Sequence, residues 1–502
     1  MTQRLPVPAG SHIAVLNVPD DALVLRPQPP SQAVADVGAA VRDALRFPLS
    51  GFSLETLVDR NGRATLVVEP PALPLPGAPR DPRQSALEAT IGELERLGVP
   101  SRRQTILVAG GLSRRAGQKE LEALLAPAAA RGFHGAVEVH DAENPELLQI
   151  GDAGRTPLRV NRLLVETELV VTVTAAETVL HGGAGALVGA SSTEVLRGAG
   201  AYSLLETAAS RGWQIGRALE GAVAERVPLI GASLVLNAPR LTGRFRGYPY
   251  EDASLAQLAG SPLRRFSILP SGLRRHVLQG LGRELTAAAA FAGPPSVAHA
   301  EALLRSIARR SVRVEEPLDA IVIGTPWKHH HQPRERLNPI TVAAVAFGLA
   351  LRLWRDAFPV REGGTAIVLN GLTRQFARGT QDPYRALFNV LRDSRAPLEL
   401  AVAERAAGAD AQALAAYRAG LACHPLLPYL DWESCRPALD RLGSVVVAGC
   451  RDHATARTLG FVPTHAIGPA LEMAHGAAGG AARIGVLLGP PYFPLEVRIP
   501  SP

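Results

Sequence analysis

The sequence predicts an α/β protein with two α/β domains and mostly parallel sheets. Short apolar runs typical of buried strands alternate with helix-like segments along the chain, which is the pattern of parallel βαβ units. The chain has 502 residues, more than one hydrophobic core normally serves, and this favours two or three domains. Its hydrophobic content of 47% and charged content of 20% are those of a folded globular protein.

The first domain is predicted to occupy residues 1–312. It opens with a helix over 31–46, in which valine and leucine residues share one face. A proline-rich loop over 70–79 separates the first strand from a helix over 81–97, whose aspartate and proline at the start are typical of a capped N-terminus. The segment 263–310 is predicted to be mostly helical and to contain no strand. The predicted strands of this domain are 64–69, 105–109, 135–140, 169–174 and 227–237.

The second domain is predicted over 313–476. Residues 477–502 form a C-terminal segment, and its return to the first domain is one interpretation of the sequence. A loop over 325–337 and a helix over 339–358 follow the first strand of this domain. Ligand sites are expected beyond the carboxyl ends of the strands, where the loops of both domains fall. The predicted strands are 319–324, 365–369, 444–448 and 483–488.

Composition limits the classes of function. The net charge is +7, but the arginines are scattered and aromatic residues make up only 5% of the chain, which indicates a basic surface able to bind small anions rather than nucleic acid. The three cysteines form no C-x-x-C pair, so no zinc ribbon or redox motif is predicted. No apolar stretch approaches the ~20 residues of a membrane span, and we expect a cytoplasmic protein.

Four groups of residues, in this order, resemble the nickel-pincer lactate racemase family. Their order and spacing, more than any one match, carry the resemblance. It implies two α/β domains with an active site in the cleft between them. The matching segments are "ALRFPLSGFSLETL" at 44–57, "ILVAGGLSR" at 106–114, "HDAEN", "GRTPLRVN" and "ETELVVTVT" between 140 and 174, and, in the second domain, "GTP" at 324–326, "EGGTAIVL" at 362–369 and "IGPALEMA" at 467–474.

The resemblance also implies a chemistry. In that family a lysine covalently holds a nickel-bearing, pyridinium-derived nucleotide, which takes hydride from the α-carbon of the substrate and returns it. A histidine removes the hydroxyl proton, and an arginine holds the carboxylate. A covalent anchor positions the reactive carbon, a base of near-neutral pKa moves the proton, and a guanidinium matches a carboxylate in a bidentate pair.

This sequence departs from the family at those positions. Leu73 falls where the family has its arginine, and Ser113 falls where it has the histidine of its "GTH" turn. The second-domain segment 338–347 offers neither the glutamine nor the lysine of the family's "YQxxK" pair. A leucine cannot donate to a carboxylate, and a serine is no base near neutral pH.

The glycine-rich loop after the strand at 169–174 leaves two alignments open. Without a gap, the family's histidine and lysine become Val179 and Gly189; with a gap of two residues, they become His181 and Gly185. Neither alignment supplies a lysine, and Lys119 and Lys328 are the only lysines in the chain. Lys119 is predicted to face water from a helix. The resemblance therefore implies a nickel-pincer nucleotide that is not covalently bound here, and the actual cofactor is left unknown.

The remaining candidates lie around this glycine-rich loop and in the second-domain loop over 325–337. The run "WKHHHQPR" of the second-domain loop is the most unusual polar segment of the chain. Three adjacent histidines cannot all face one metal, so no metal site is predicted. His181 and Lys328 are the catalytic candidates. The ligand-binding candidates are Gly182, Gly183, Gly185, Ser113, Arg114, His329, His330 and Arg334.

The predicted function is therefore that of a divergent lactate racemase-like protein, binding a small carboxylate or nucleotide in the interdomain cleft with altered or lost catalysis. Two alternatives stay open. One is a nickel-dependent 2-hydroxy-acid racemase or epimerase with a non-covalent cofactor. The other is a non-catalytic partner of an active homologue. The expected partners are a small anionic molecule and either a second copy of the chain or a homologous subunit, with no membrane.

Overall fold

The computed structural model describes residues 2–69, 81–176, 183–200, 210–261, 266, 268–326, 335–480, 482–489 and 492–498. Two six-stranded sheets organise the chain, and each has its own apolar core. The predicted α/β class with mostly parallel sheets is confirmed. Within the described ranges, no helix has the length and apolarity to cross a lipid bilayer.

The first sheet has the strand order β13-β10-β9-β4-β5-β6. All neighbours are parallel except β13, which runs antiparallel to β10 at the edge. The central strands β4 and β9 are buried along their whole length, as expected for a parallel sheet covered by helices on both faces. The strands are β4 Ala64–Val68, β5 Gln104–Val108, β6 Ala136–Val139, β9 Leu169–Ala176, β10 Leu229–Leu236 and β13 Ala287–Gly293.

The second sheet has the order β19-β18-β17-β15-β20-β3 and is parallel throughout. Its edge strand β3 comes from the N-terminus of the chain, and apolar residues of the N-terminal strands share a core with the second sheet and with Leu255 and Leu258 of residues 252–260. The strands are β3 Leu23–Leu25, β15 Leu318–Gly324, β17 Val360–Leu369, β18 Ser444–Ala448, β19 Val462–Thr464 and β20 Ile484–Leu487.

The C-terminal strand β20 does not return to the first sheet. It pairs with β15 on one side and with β3 on the other, because its fully buried Ile-Gly-Val-Leu sequence fills an interior position of the second sheet. Short strands complete the structure outside the two sheets. They are β1 Thr2–Pro8, β2 Ile13–Pro19, β7 Leu148–Ala153, β8 Thr156–Val160, β11 Arg240–Leu241, β12 Arg283–Glu284, β14 Val312–Val314, β16 Trp354–Arg355 and β21 Leu495–Val497.

The prediction that 263–310 contains no strand is wrong. Strands β12 and β13 interrupt it, because the alanine-rich segment gains its hydrogen bonds by pairing with β10. The helix predicted over 339–358 is also too long. It ends in a π-helical turn, Ala344–Leu349, and a 3-10 turn, Ala350–Arg352, before β16 begins.

Helices cover both sheets. In the first domain they are α1 Val37–Arg46, α2 Leu54–Leu57, α3 Pro82–Arg96, α4 Gln118–Leu121, α5 Pro127–Gly132, α6 Ala184–Gly189, α7 Thr193–Ala199, α8 Arg211–Ala224, α9 Asp252–Gly260, α10 Ser271–Gln279 and α11 Pro295–Arg310. In the second they are α12 Pro339–Ala343, α13 Asp382–Asp393, α14 Pro397–Gly408, α15 Ala411–Arg418, α16 Leu427–Leu439, α17 His453–Thr458 and α18 Ile467–Ala478. The predicted cap of α3 is present, with the carboxylate of Asp81 accepting from the Arg83 N–H at 2.9 Å.

Candidate functional site

The turn after β5 carries Ser113 to the carboxyl edge of the first sheet. Gly111 adopts φ +53°, which favours glycine, and its N–H donates to the carbonyl of Gly189 at the end of α6 (2.9 Å). Ser113 follows, half-buried, with its N–H donating to the carbonyl of Gly110 (3.0 Å). The turn and the helix of the glycine-rich segment are therefore one packed unit, as expected for a ligand edge of a parallel sheet.

The side chain of Arg114 forms an ion pair with Glu120. Its Nη2 donates to both carboxylate oxygens of Glu120, at 2.8 and 2.9 Å. Neighbouring Lys119 is exposed on the short helix α4, which confirms that it faces water. An anion could recruit the guanidinium of Arg114 only in competition with Glu120.

In the glycine-rich loop, Val179, His181 and Gly182 lie outside the described residues. The described part begins at Gly183, whose N–H donates to the hydroxyl of Thr174 (3.1 Å) and whose φ is +54°. A Cβ there would lie 2.4 Å from the Cβ of His299 and 2.7 Å from the carbonyl oxygen of Pro295. Close approach to α11 therefore requires glycine at this position. Gly185 is half-buried inside α6.

The polar run of the second domain also lies outside the described residues, including Lys328, His329, His330 and Arg334. Its starting point is described. The carbonyl of Thr325 accepts from the Gly10 N–H (2.9 Å), and its hydroxyl donates to the carbonyl of Leu369 (2.8 Å) while accepting from Asn370 (2.8 Å). The loop thus leaves from a fixed point at the carboxyl ends of β15 and β17.

Three arginines converge where that loop ends, and sequence reasoning missed them. Arg336, Arg374 and Arg385 line an open pocket of about 700 Å³ together with Gln375 and Phe376. Arg336 donates to the side-chain carbonyl of Gln375.

The side chains of the other two arginines of this pocket contact residues of α13. Arg374 donates to Asn389 at 3.1 Å and lies over the ring of Phe388 at 5.5 Å. Arg385 pairs with Asp382 at 3.1 Å. In the part of the chain that is described, Asp382 is the one carboxylate ion-paired with any of the three, so the pocket carries excess positive charge.

A second basic group lies beside the same strand ends. His12 is mostly buried, and burial, followed by the charges of Arg274 and Arg451, lowers its pKa to about 4. Its imidazole is therefore neutral at pH 7. Arg451 follows β18 and its N–H donates to the carbonyl of Gly371 (2.9 Å). Two guanidinium groups thus flank the carboxyl edge of the second sheet in addition to the three-arginine pocket.

The comparisons with known proteins agree with this architecture. Residues 10–197 match the family model described as lactate racemase N-terminal domain. The fold is similar to that of the lactate racemase apoprotein from Thermoanaerobacterium thermosaccharolyticum, with a TM-score of 0.62 and 16% identity over 99% of this chain and 100% of that one.

Residues 10–197 therefore resemble the lactate racemase N-terminal domain, and the chain has a lactate racemase-like fold.

A structural-genomics target from Thermotoga maritima is also similar, with a TM-score of 0.50 and 13% identity over 93% of this chain and 100% of that one. At these identities the two solved structures show the fold alone. A search of curated proteins gave no significant match.

Within this lactate racemase-like fold, the positions aligned with the family's lysine do not fit a covalent tether. A Cβ at Gly189 would lie 2.8 Å from the carbonyl oxygen of Ala109, so backbone occupies the space that any side chain would need. The other aligned position, Gly185, has no side chain to offer. Lys119 is the one lysine in the described ranges, and it faces solvent from α4.

The "HDAEN" segment of the lactate racemase-like chain has a role that the sequence did not reveal. His140 is buried, with Nε2 2.8 Å from the carbonyl oxygen of Ser191, and burial lowers its pKa to about 4. The following residues contact the second domain. Asp141 pairs with Arg418 (3.2 Å), and Glu143 pairs with His424 (3.1 Å). The segment therefore fixes one domain against the other.

Proposed function

We propose that this lactate racemase-like protein binds a small anion, a carboxylate or the phosphate of a nucleotide, in the cleft between its domains, and that its catalysis is altered or lost. The proposal places the anion at the carboxyl edge of the second sheet. There we assign it to the three-arginine pocket and the group of His12, Arg274 and Arg451, with Lys328 and Arg334 as further proposed contacts. The protein acts without a covalently attached nickel-pincer nucleotide.

The observation that carries this proposal is the convergence of Arg336, Arg374 and Arg385 around one pocket with a single paired carboxylate. Guanidinium groups suit carboxylates and phosphates because their planar N–H donors can bind two oxygens at once. Loops after neighbouring parallel strands are also where ligands of such sheets bind.

Altered or lost catalysis is supported by the first domain. Ser113 stands where the family has a histidine, and general-base catalysis is worth about 10²–10⁴-fold in rate. The tether positions hold glycine, one of them against the backbone of Ala109. The residues of this chain would bind and orient an anion, but the described ones provide no covalent anchor for a nucleotide.

Binding is tested by titrating the purified protein calorimetrically with L-lactate, inorganic phosphate and adenosine monophosphate. Arg374→Gln and Arg336→Gln should each weaken the anion that binds by about tenfold or more, since a hydrogen bond to a charged group contributes about 1.5–3 kcal/mol. The matched control is Arg392→Gln, an exposed arginine of α13 outside the pocket, which should leave affinity unchanged.

A Lys328→Gln variant tests whether the loop after β15 contributes to anion binding in addition to the three-arginine pocket. Weaker binding in Lys328→Gln and in Arg374→Gln places the anion between the loop and the pocket. Equal affinities for wild type and all three glutamine variants at 336, 374 and 328 would refute the anion site.

Catalysis is tested independently. The intact mass of the denatured protein should equal that of the unmodified chain, and optical rotation should show no racemisation of L-lactate. A stoichiometric mass increase that survives denaturation, together with bound nickel, would contradict the proposed absence of a covalent cofactor.

A further inference from the structure

An apolar cavity lies at the carboxyl end of β20 and is lined by residues from both halves of the chain. Together with the open solvent at its mouth, it comprises about 830 Å³ of empty space. Its walls come from the carboxyl end of β20, the segment after β10, and the loop that precedes α9. The lining is rich in aromatic side chains, including Phe245, Tyr248, Tyr250, Tyr492 and Phe493.

One hydroxyl in this wall has no hydrogen-bond partner among the described residues. The hydroxyls of Tyr248 and Tyr250 donate to the backbone carbonyls of Pro6 (3.1 Å) and Pro239 (3.3 Å). Tyr492 is 8% exposed, and its buried hydroxyl has no hydrogen-bond partner among the residues that the structure describes. Leaving a buried polar group unpaired costs about 1–3 kcal/mol, so such groups in native proteins call for an explanation.

The cavity also borders a buried positive charge. Arg310, at the end of α11, is 7% exposed and lines the wall, with Nη2 donating to the carbonyl of Leu236. Burial raises the pKa of the Tyr492 hydroxyl well above its usual range, so this group stays protonated and can donate. A mostly apolar space with a few fixed polar groups is the usual form of a small-molecule site.

We infer that this cavity is a binding site for a small, mostly apolar molecule carrying one oxygen acceptor, which accepts a hydrogen bond from Tyr492. The ring or aliphatic body of the ligand packs against Phe245, Tyr248 and Phe493. The positive charge of Arg310 favours a monocarboxylate over a neutral molecule of the same shape. This site is separate from the three-arginine pocket, because the two share no lining residue.

The test uses benzamide and benzoate as probes of nearly equal size and shape but different charge. Binding to the full chain is measured by calorimetry and by ligand-observed NMR. Saturable binding is expected for both, with benzoate tighter. Tyr492→Phe, which removes only the hydroxyl, should weaken benzoate about tenfold.

Two further variants isolate the cause. Tyr429→Phe is the matched control: it removes the hydroxyl of a tyrosine of α16 that does not line the cavity, and affinity should change by less than about twofold. Leu281→Trp, a half-buried lining position, should fill the cavity and abolish binding while circular dichroism shows a folded protein. Absence of saturable binding of either probe, or equal affinities of wild type and Tyr492→Phe, would overturn the inference.

Discussion

The hydroxyl of Tyr417 donates a hydrogen bond of 2.9 Å to the carbonyl of Gly111. Tyr417 belongs to α15 of the second domain, and Gly111 to the turn that carries Ser113 in the first. The same hydroxyl accepts from the N–H of Ala142 at 3.2 Å. One fully buried side chain therefore satisfies two backbone groups of the other domain, and it ties the strand-end turn to the second domain.

We expect Tyr417→Phe to destabilise the protein by about 1–3 kcal/mol, because it leaves a buried carbonyl and a buried N–H without their partner. The measurement is the free energy of unfolding in urea. Tyr429→Phe is the control, since the Tyr429 hydroxyl has no hydrogen bond within the described part of the chain, and it should change the value by less than about 0.5 kcal/mol. Equal effects of the two substitutions would show that the contact between the domains contributes nothing.

Glycine at position 189 is required by packing, and this can be measured. A Cβ there would meet the carbonyl oxygen of Ala109 at 2.8 Å, so Gly189→Ala should cost about 1–3 kcal/mol through overpacking. Gly221 in α8 is the control because, among the described residues outside its own helix backbone, no atom lies within 4 Å of a Cβ built there. Gly221→Ala should stabilise the protein by about 0.5–1 kcal/mol. Stabilisation by Gly189→Ala in thermal unfolding would show that the position has room for a side chain.

Much of the fold could be predicted from sequence because its central strands are continuous apolar runs. Strands β4, β5, β9 and β15 were all expected within one or two residues of their observed bounds. The edge strand β13 was not, because its alanines have low strand propensity and it forms only by pairing with β10. The pairing of β3 with β20 at the edge of the second sheet could not be predicted either, since no local pattern specifies a partner more than 400 residues away in sequence.

The candidate site divides in the same way. Ser113 follows β5 as predicted, because strand and turn are local patterns. Arg336, Arg374 and Arg385 form no motif in the sequence. They meet because β15 and β17 are parallel neighbours whose following loops leave the same edge.

Glu93 should control part of the acid stability. It is 1% exposed and pairs with Arg46 (2.9 Å) and Arg96 (2.8 Å). Burial alone would raise its pKa, but the hydrogen bonds from Arg96 and Arg46 outweigh burial and lower the pKa to about 2. Since the folded pKa lies below the unfolded value, the stabilisation is present above about pH 4.5 and is lost as pH falls towards 2.

Glu93→Gln should therefore lower the free energy of unfolding at pH 7 by about 2–3 kcal/mol and flatten its decline between about pH 4.5 and 2. Urea unfolding followed across this pH range measures both effects. Glu95→Gln, at an exposed position of the same helix, should leave the acid limb as in wild type. An unchanged acid limb in Glu93→Gln would contradict the assignment.

Asp431 should affect the pH dependence of stability in the opposite direction to Glu93. It is fully buried in α16, burial raises its pKa to about 7, and the hydrogen bond from the Tyr384 hydroxyl (2.6 Å) offsets only part of that rise. Because the folded pKa lies above the unfolded value near 3.9, the native state binds the extra proton between about pH 4 and 7. Its contribution to stability is thus complete below pH 4 and is lost as pH rises through 7, on the order of 4 kcal/mol in all.

Asp431→Asn keeps an acceptor for Tyr384 and cannot ionise. Relative to wild type, the variant should gain free energy of unfolding steadily as pH rises from 4 to 8, and it should be the more stable protein at pH 8. Asp440→Asn, at the exposed end of the same helix, should run parallel to wild type across the range. A constant difference between Asp431→Asn and wild type would mean that the buried carboxyl ionises at the same pH in the folded and unfolded chains, and that burial in α16 does not hold its proton.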